Sequence, residues 1–523
     1  MDLVLNSEAL SPSNSPTLGM EVETSENVAM STALLNPIVL EAIFGHLDVP
    51  DLKTTRLVCR DWNELGTTVL GKQSCLHVTP IFCYHTSDLH LIAPIHPKLM
   101  RNVIISSEFD ASIHLKKTAA VIAKGFTILP EFTGEIKFYA RQRKFIRAFL
   151  DGMTMLKSTK IRAILIYMHE TNANECFDER QIQACRKLPV QTSLTSLHFD
   201  ISHDTGRTNG VQTALQVLID SAPNLTHLFV NATFYPNLEG CQNLKFLKFY
   251  FIQFIFGYVN CAHATCPDFK LGAVIKMLEQ VKDSLIELEL DFDGPFESVS
   301  QDMNLDVPVL SKLTSVTINF LMAYQIQNFF DEAHLPNLKN LVFGNYECGA
   351  TELSSFLNVW QRHRGVQSLA LELGQDFMEG EIDFGQKIVQ LFPSVKKLEF
   401  MVQILGDVNS EKVKTKMGPF QKWNLKESSV VVYFEKCASV VRVLKSLSFW
   451  KGVKNVRFVI ESYDFSIISA IAVQHIILHN RGLKTVKVEV KVKDEESAER
   501  MRASLETTSI PDSFNWNVCV TSD

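Results

Sequence analysis

The sequence predicts an α/β chain, a small helical unit followed by a long array of parallel strands and helices. Three observations carry this. An apolar segment of helical period lies near the N-terminus. The pattern L-x-x-L-x-L, with Val, Ile or Phe allowed, then recurs along most of the remainder. Helix-period segments separate its copies. A length of 523 residues calls for several compact domains or one elongated repeat array.

Residues 1–30 are rich in Ser, Asn, Glu and Pro and lack apolar periodicity, so a disordered tail is expected there. The segment lacks the basic-then-apolar order of a secretory signal. No apolar run reaches the roughly 20 residues of a membrane-spanning helix; the most apolar stretch, Phe249 to Val259, is too short. The 11 cysteines, odd in number and without framework spacing, suit a reducing compartment, and the chain is expected in the cytoplasm, the nucleus or both. The sequons at Asn224 and Asn231 would then be unmodified. A net charge of −7 offers no basic balance for nucleic acid.

Residues 31–75 form the helical unit. Pro37 suits a first helical turn. Val39, Ile43 and Leu47 recur at spacing four beside Leu40 and Phe44, giving one broad apolar face. Asp48-Val49-Pro50-Asp51 breaks and restarts the chain, and Leu52, Arg56 and Cys59 then follow at helical spacing, with Val58 and Trp62 as a second pair. So small a unit needs a partner or a neighbouring domain.

This segment resembles an F-box. The family opens on Leu-Pro, ends its first helix in Ile-Phe-x-x-Leu, and continues to Val-Cys-x-x-Trp. Here stand Leu35, Pro37, Ile43, Phe44, Leu47, Leu52, Val58, Cys59 and Trp62. Counted back from Ile43, the family's Pro column falls on Asn36, and Pro37 comes one residue later; the acidic residue often found two columns on is Ile38. The resemblance implies docking of a Skp-family adaptor through Leu35, Pro37, Ile38, Leu40, Ile43, Phe44, Leu47, Leu52, Val58, Cys59 and Trp62, some of which hold the unit together while others face the partner.

Residues 76–523 carry the repeats. The template fits ten places, with middle apolar residues Leu197, Leu228, Leu247, Leu288, Val316, Leu341, Leu369, Leu398, Val456 and Val486. The period is about 29 residues once a displaced strand and a missing one near Ser428 to Lys436 are allowed for. Ile161-x-x-Ile164-x-Ile166 and Met100-x-x-Val103-x-Ile105 continue it upstream. Helices are expected around Val211/Leu215/Leu218, Leu271/Val274/Ile275/Leu278, Leu353/Phe356/Leu357/Trp360 and Val440/Leu444/Leu447. One strand and one helix cannot close a core, so neighbours must stack. The period resembles leucine-rich repeats, which implies a solenoid with parallel strands on the concave face and helices on the convex one. The family's Asn or Cys eight positions after the first Leu is replaced by Ser202, Thr233, Ile252 and Tyr346 in four repeats. An insertion interrupts the array near 251–267. A charged helix and a last strand over 494–523 suit a capping repeat.

Catalytic signatures are sparse. Phosphate-loop, dinucleotide, zincin and nucleophile-elbow motifs are lacking. His198-Phe199-Asp200 has the His-x-carboxylate spacing of an oxygenase iron site, but inside a repeat strand the two polar residues simply share the outward face. Cys261, His263 and Cys266, with Cys241, could supply zinc ligands, although the spacing is not a strong zinc pattern. Neither a catalytic residue, nor a cofactor, nor a metal is expected.

An F-box followed by leucine-rich-like repeats resembles the substrate receptors of SCF-type ubiquitin ligases. The resemblance implies an adaptor-bound, non-catalytic subunit reaching the cullin and RING subunit through the adaptor, and holding an unknown protein substrate on the solenoid. A repeat scaffold not coupled to a ligase is the alternative. Neither nucleic acid nor membrane is expected as a partner. The outward residues of the middle repeats include Phe229, Phe246 and Tyr250 beside Glu287, Glu289 and Asp291, which suits a basic, partly apolar protein segment.

Overall fold

The computed structural model describes residues 32, 36–77, 96–99, 101–106, 126, 134–140, 144–155, 160–169, 187–202, 209–252, 269–293, 306–319, 331–344, 357, 360–374, 383–404, 409–434, 442–443, 447, 450, 455–461, 485–492, 494–506 and 514–520. It divides into two units, one of residues 1–76 with 96–102, the other of 77–95 with 103–523.

The first unit is helical. Helix α1 (Pro37–Gly45) starts where the Asn36 side chain accepts from the Ile38 amide at 2.9 Å and Pro37 occupies the first turn. Helix α2 (Val49–Thr55) is capped in the same way by Asp48, which accepts from the Asp51 amide at 2.9 Å. Helix α3 (Arg60–Gln73) begins at Cys59, whose sulfur faces the Trp62 amide. The core is Leu40, Phe44, Leu52, Val69 and Leu70, with Leu47, Val49, Trp62, Leu65 and Leu99 against it. Phe44 meets Trp62 edge-on, ring centroids 5.4 Å apart. Lys72 pairs with Glu41 at 2.7 Å and holds that carboxyl below its usual range.

The second unit is a repeat-built α/β structure on one sheet. The strands of the sheet are β1 (Leu76–His77), β2 (Asn102–Ser106), β3 (Glu135–Ala140), β4 (Ala163–His169), β5 (Ser196–Ser202), β6 (His227–Ala232), β7 (Phe246–Ile252), β8 (Glu287–Asp293), β9 (Ser315–Asn319), β10 (Asn340–Gly344), β11 (Ser368–Leu373), β12 (Lys397–Ile404), β13 (Glu427–Phe434), β14 (Asn455–Glu461), β15 (Thr485–Val492) and β16 (Phe514–Val520). They pair in sequence order, and the pairings from β3 to β16 are parallel. Helices α4 (Lys144–Met155), α5 (Asn209–Asp220), α6 (Leu271–Val281), α7 (Phe384–Leu391), α8 (Ser410–Met417) and α9 (Glu495–Glu506) fall between strands.

Strand alternation sets the two faces. In β6 the even-numbered residues Leu228, Val230 and Ala232 are buried, while Phe229 and Asn231 lie half-buried on the open face. Ile164, Leu197, Leu228, Leu247, Leu288, Val316, Leu341, Leu369 and Leu398 are register partners down the sheet, each buried. The register then steps. Leu398 aligns with Ser428, whereas Val456 and Val486 align with Val430 and Phe400. The offset is two residues, so the strands keep their faces; a one-residue slip would have inverted them.

The buried row meets the helices through rings. Phe138 on β3 stacks on Phe149 of α4 at 4.6 Å. Further along, Trp423 Nε1 donates to the Phe392 carbonyl at 2.9 Å and Trp450 Nε1 to the Met417 carbonyl at 3.0 Å, each joining one repeat to the one before.

Among the described residues, the strand starts are tied together from repeat to repeat. The Thr195 carbonyl accepts from the amides of Thr226 and His227, the Thr226 carbonyl from Lys245 and Phe246, and the Lys245 carbonyl from Ile286 and Glu287. The same step continues to Lys426 and Glu427 on the Lys396 carbonyl. Side chains reinforce it: Asn224 donates to the Thr192 carbonyl at 2.8 Å, Asn243 to Pro223 at 3.3 Å and Asn337 to Ser311 at 2.7 Å. These bonds pair backbone polar groups at the strand starts, from one repeat to the next.

Some expected elements differ. β3 and α4 were not expected, because Thr133 stands where the template needs an opening apolar residue, although Ile136, Phe138 and Ala140 alternate inward. Helices α7 and α8 were also not anticipated. The missing strand is β13, and the last helix and strand are α9 and β16. Of the helix expected over Leu353 to Trp360, Leu357 is helical and Trp360 lies outside a helix; Leu353 and Phe356 lie outside the described residues, as do Val440, Leu444, residues 1–30 and most of the 251–267 insertion. Among the described residues no helix is long and apolar enough to cross a membrane.

Candidate functional site

The residues expected to meet an adaptor divide into two groups. Leu40, Phe44 and Leu52 are buried and form the helical unit's own core, so their side chains are not available to a partner. Leu47 and Trp62 pack half-buried against that core. Pro37, Ile38, Ile43, Val58 and Cys59 are exposed, and Leu35 lies outside the described residues. Ile38 is 80% exposed and Val58 63%. Two further apolar residues join them, Val39 on α1 and Leu57 in the turn before α3, the latter 85% exposed. Leu57 falls off the helical stripe, so periodicity gave no signal for it. Isolated exposed apolar residues are ordinary; five large ones on so small a unit are not.

The second candidate surface is the open face of β5 to β9. Parallel pairing brings four side chains into one row: His198, Phe229, Lys248 and Glu289. The His198 and Phe229 rings stack at 3.9 Å. Lys248 Nζ lies 5.6 Å from the Phe229 centroid and 4.8 Å from that of Tyr250, and pairs with Glu289 at 2.7 Å. The Tyr250 hydroxyl donates to the same Glu289 carboxylate. A parallel row one step toward the strand starts holds His227, Phe246 and Glu287, with the two rings stacked at 4.1 Å. Between and beside the rows lies a groove of about 280 Å³ lined by these residues together with Ser196, Ser315 and Thr317.

The six residues expected to bind substrate therefore share one face. Phe229, Phe246, Glu287 and Glu289 line the groove, and Tyr250 and Asp291 stand one step along the strands. The expected block of three carboxylates is partly neutralised, since Glu289 is held by Lys248 and Tyr250. His198, His227 and Lys248 were missing from the expected set, although they sit at outward positions of the same template.

His198 and Asp200 do share the outward face, and among the described residues they belong to no group of three or more side chains that could hold a metal ion. His198 stacks on Phe229, and Asp200 accepts from the Asn231 amide at 2.9 Å. Burial, then the nearby Lys248 charge, lower the His198 pKa to about 4. The ring is neutral in the fold and its Nε2 has no hydrogen-bond partner among the described residues. A group whose pKa falls on folding binds its proton more readily when unfolded. Stability should fall as pH drops from about 6.5 toward 4 and be retained above that window. His198→Phe should remove this part of the acid sensitivity in denaturant melts at pH 7 and pH 5; an unchanged pH dependence would count against a neutral, buried imidazole. Cys241 is buried and its thiol is pushed up to about 12, while Cys261, His263 and Cys266 lie outside the described residues.

Fold and surfaces together define a repeat-built α/β protein with an apolar-faced helical unit and a ring-walled groove on its open sheet face. No protein-family model and no curated protein matches the chain.

Proposed function

We propose that the chain is the substrate-recognition subunit of an SCF-type ubiquitin ligase. The helical unit is an F-box that docks a Skp-family adaptor, and the sheet unit is a leucine-rich-repeat-like solenoid that holds a protein substrate. The observation carrying this reading is the exposed set Ile38, Val39, Ile43, Leu57 and Val58 on a unit whose core is already complete. Removing such groups from water is worth about 25 cal/mol per Å², so an apolar partner surface is their natural complement. The chain supplies no chemistry of its own in this reading. Cullin and RING subunit are reached through the adaptor, and the rate gain comes from holding a substrate lysine close to the charged ubiquitin-conjugating enzyme.

The test is affinity capture of the full chain from cells in which the cullin is inhibited. Adaptor, cullin and RING subunit should co-purify, and Leu57→Asp with Val58→Asp should reduce them to background, because two carboxylates would be desolvated on docking. Undiminished adaptor capture by that variant would refute docking through this surface. Substrate capture without any adaptor, from the unaltered chain, would mark a scaffold not coupled to a ligase.

A further inference from the structure

We propose that the groove on the open face of β6 to β8 takes an arginine side chain from a basic segment of a partner protein, with the guanidinium against the Phe246 ring and paired to Glu287. The inference deepens the receptor reading and rests on it only for the fate of the bound segment.

The argument is a comparison of the two rows. One row runs His198, Phe229, Lys248, Glu289: two stacked rings, a cation over the second ring, and a carboxylate that pairs with the cation. The neighbouring row runs Ser196, His227, Phe246, Glu287, so its two stacked rings are shifted by one strand and Phe246 stands directly beside the carboxylate. His227 covers one side of Phe246 at an interplanar angle of 11°, and its Nδ1 lies 2.8 Å from the Thr226 hydroxyl, which fixes the ring's direction. Glu287 is exposed and, unlike Glu289, has no ion-pair partner among the described residues. The second row therefore sets a ring directly beside a carboxylate that carries no cation, in a groove open to solvent.

Charge and shape specify the group the groove would take. Lys248 is committed to Glu289, so the groove keeps the negative charge of Glu287. A cation is attracted and an anion is not. Ring walls favour a planar, weakly hydrated guanidinium over a compact ammonium, because it can stack and pair at once. The nearby apolar ring edges suit aliphatic residues flanking the arginine.

The experiment measures binding to the purified full chain of a short fluorescein-labelled peptide in which arginines alternate with leucines. Matched peptides carry lysine, citrulline or glutamate instead. The arginine peptide should bind best, lysine more weakly, and citrulline and glutamate at least about tenfold more weakly, the scale of a charge-assisted pair. Glu287→Gln should weaken the arginine peptide by about tenfold. Phe246→Leu should weaken it several-fold, and Glu399→Gln, outside the groove, should leave it unchanged. Circular dichroism checks that each variant is folded. Equal binding of arginine and citrulline, or binding indifferent to both Glu287→Gln and Phe246→Leu, would overturn the proposal. Adaptor capture is measured on the same samples. Its loss with peptide binding retained would overturn the ligase reading and leave the groove standing, and the converse result would do the opposite.

Discussion

Phe44→Ala is expected to destabilise the helical unit by about 3–5 kcal/mol, enough to unfold a unit of this size. Phe44 is 1% exposed and sits between Leu40, Leu52, Val69 and Leu70, with Trp62 edge-on against its ring. Truncation removes the ring and leaves a cavity that three short helices must either tolerate or collapse around. Hydrogen exchange over residues 37–73 should lose its protection. Protection that survives unchanged would mean that Phe44 is not the centre of this core. If the unit docks an adaptor, capture would fall with Phe44→Ala too, but through unfolding. A substitution at Leu57 or Val58 changes the surface without opening the core, and only that kind of variant separates docking from folding. The contrast follows from burial: Phe44 and Val58 belong to the same sequence pattern, yet one is closed off and the other 63% exposed.

Strand positions were legible because their signal is local and redundant. Leu225, Leu228 and Val230 declare both a strand and its inward face within six residues, and the same pattern returns in repeat after repeat. Where the opening apolar residue is lost, as at Thr133, the strand forms anyway, because β4 offers a partner and Ile136 and Phe138 still alternate. The helices were less legible. α7 and α8 have eight residues each, about two turns, too short for a helical period to stand out, although Phe384, Ile388, Val389 and Leu391 of α7 are all buried. The site was legible in composition but not in arrangement. Outward positions named Phe229, Phe246, Tyr250, Glu287, Glu289 and Asp291, but only the register shows that Lys248 stands between Phe229 and Glu289 while Phe246 stands directly beside Glu287. In the helical unit the pattern could not separate core from surface, because α1 carries apolar residues on both sides, Leu40 and Phe44 buried and Ile38, Val39 and Ile43 exposed.

Leu369→Ala should destabilise the sheet unit by about 2–5 kcal/mol, while Ser368→Ala one residue earlier should change it by less than about 0.5 kcal/mol. Leu369 is fully buried between its register partners Leu341 and Leu398, whereas Ser368 is half-buried on the opposite, open face. The difference depends only on which side of the sheet each side chain leaves, so the pair of substitutions reads the register directly. Each repeat in such an array touches chiefly its neighbours. The loss at Leu369 should therefore appear first as reduced exchange protection in β10, β11 and β12, and reach β5 to β7 only when the whole array unfolds. Denaturant melts give the size of the effect and hydrogen exchange gives its location. Equal effects at the two positions would reverse the assignment of faces along β11. They would also turn the outward row of the groove into core, since the same ladder joins β11 back through β10 and β9 to Glu287 and Glu289 on β8.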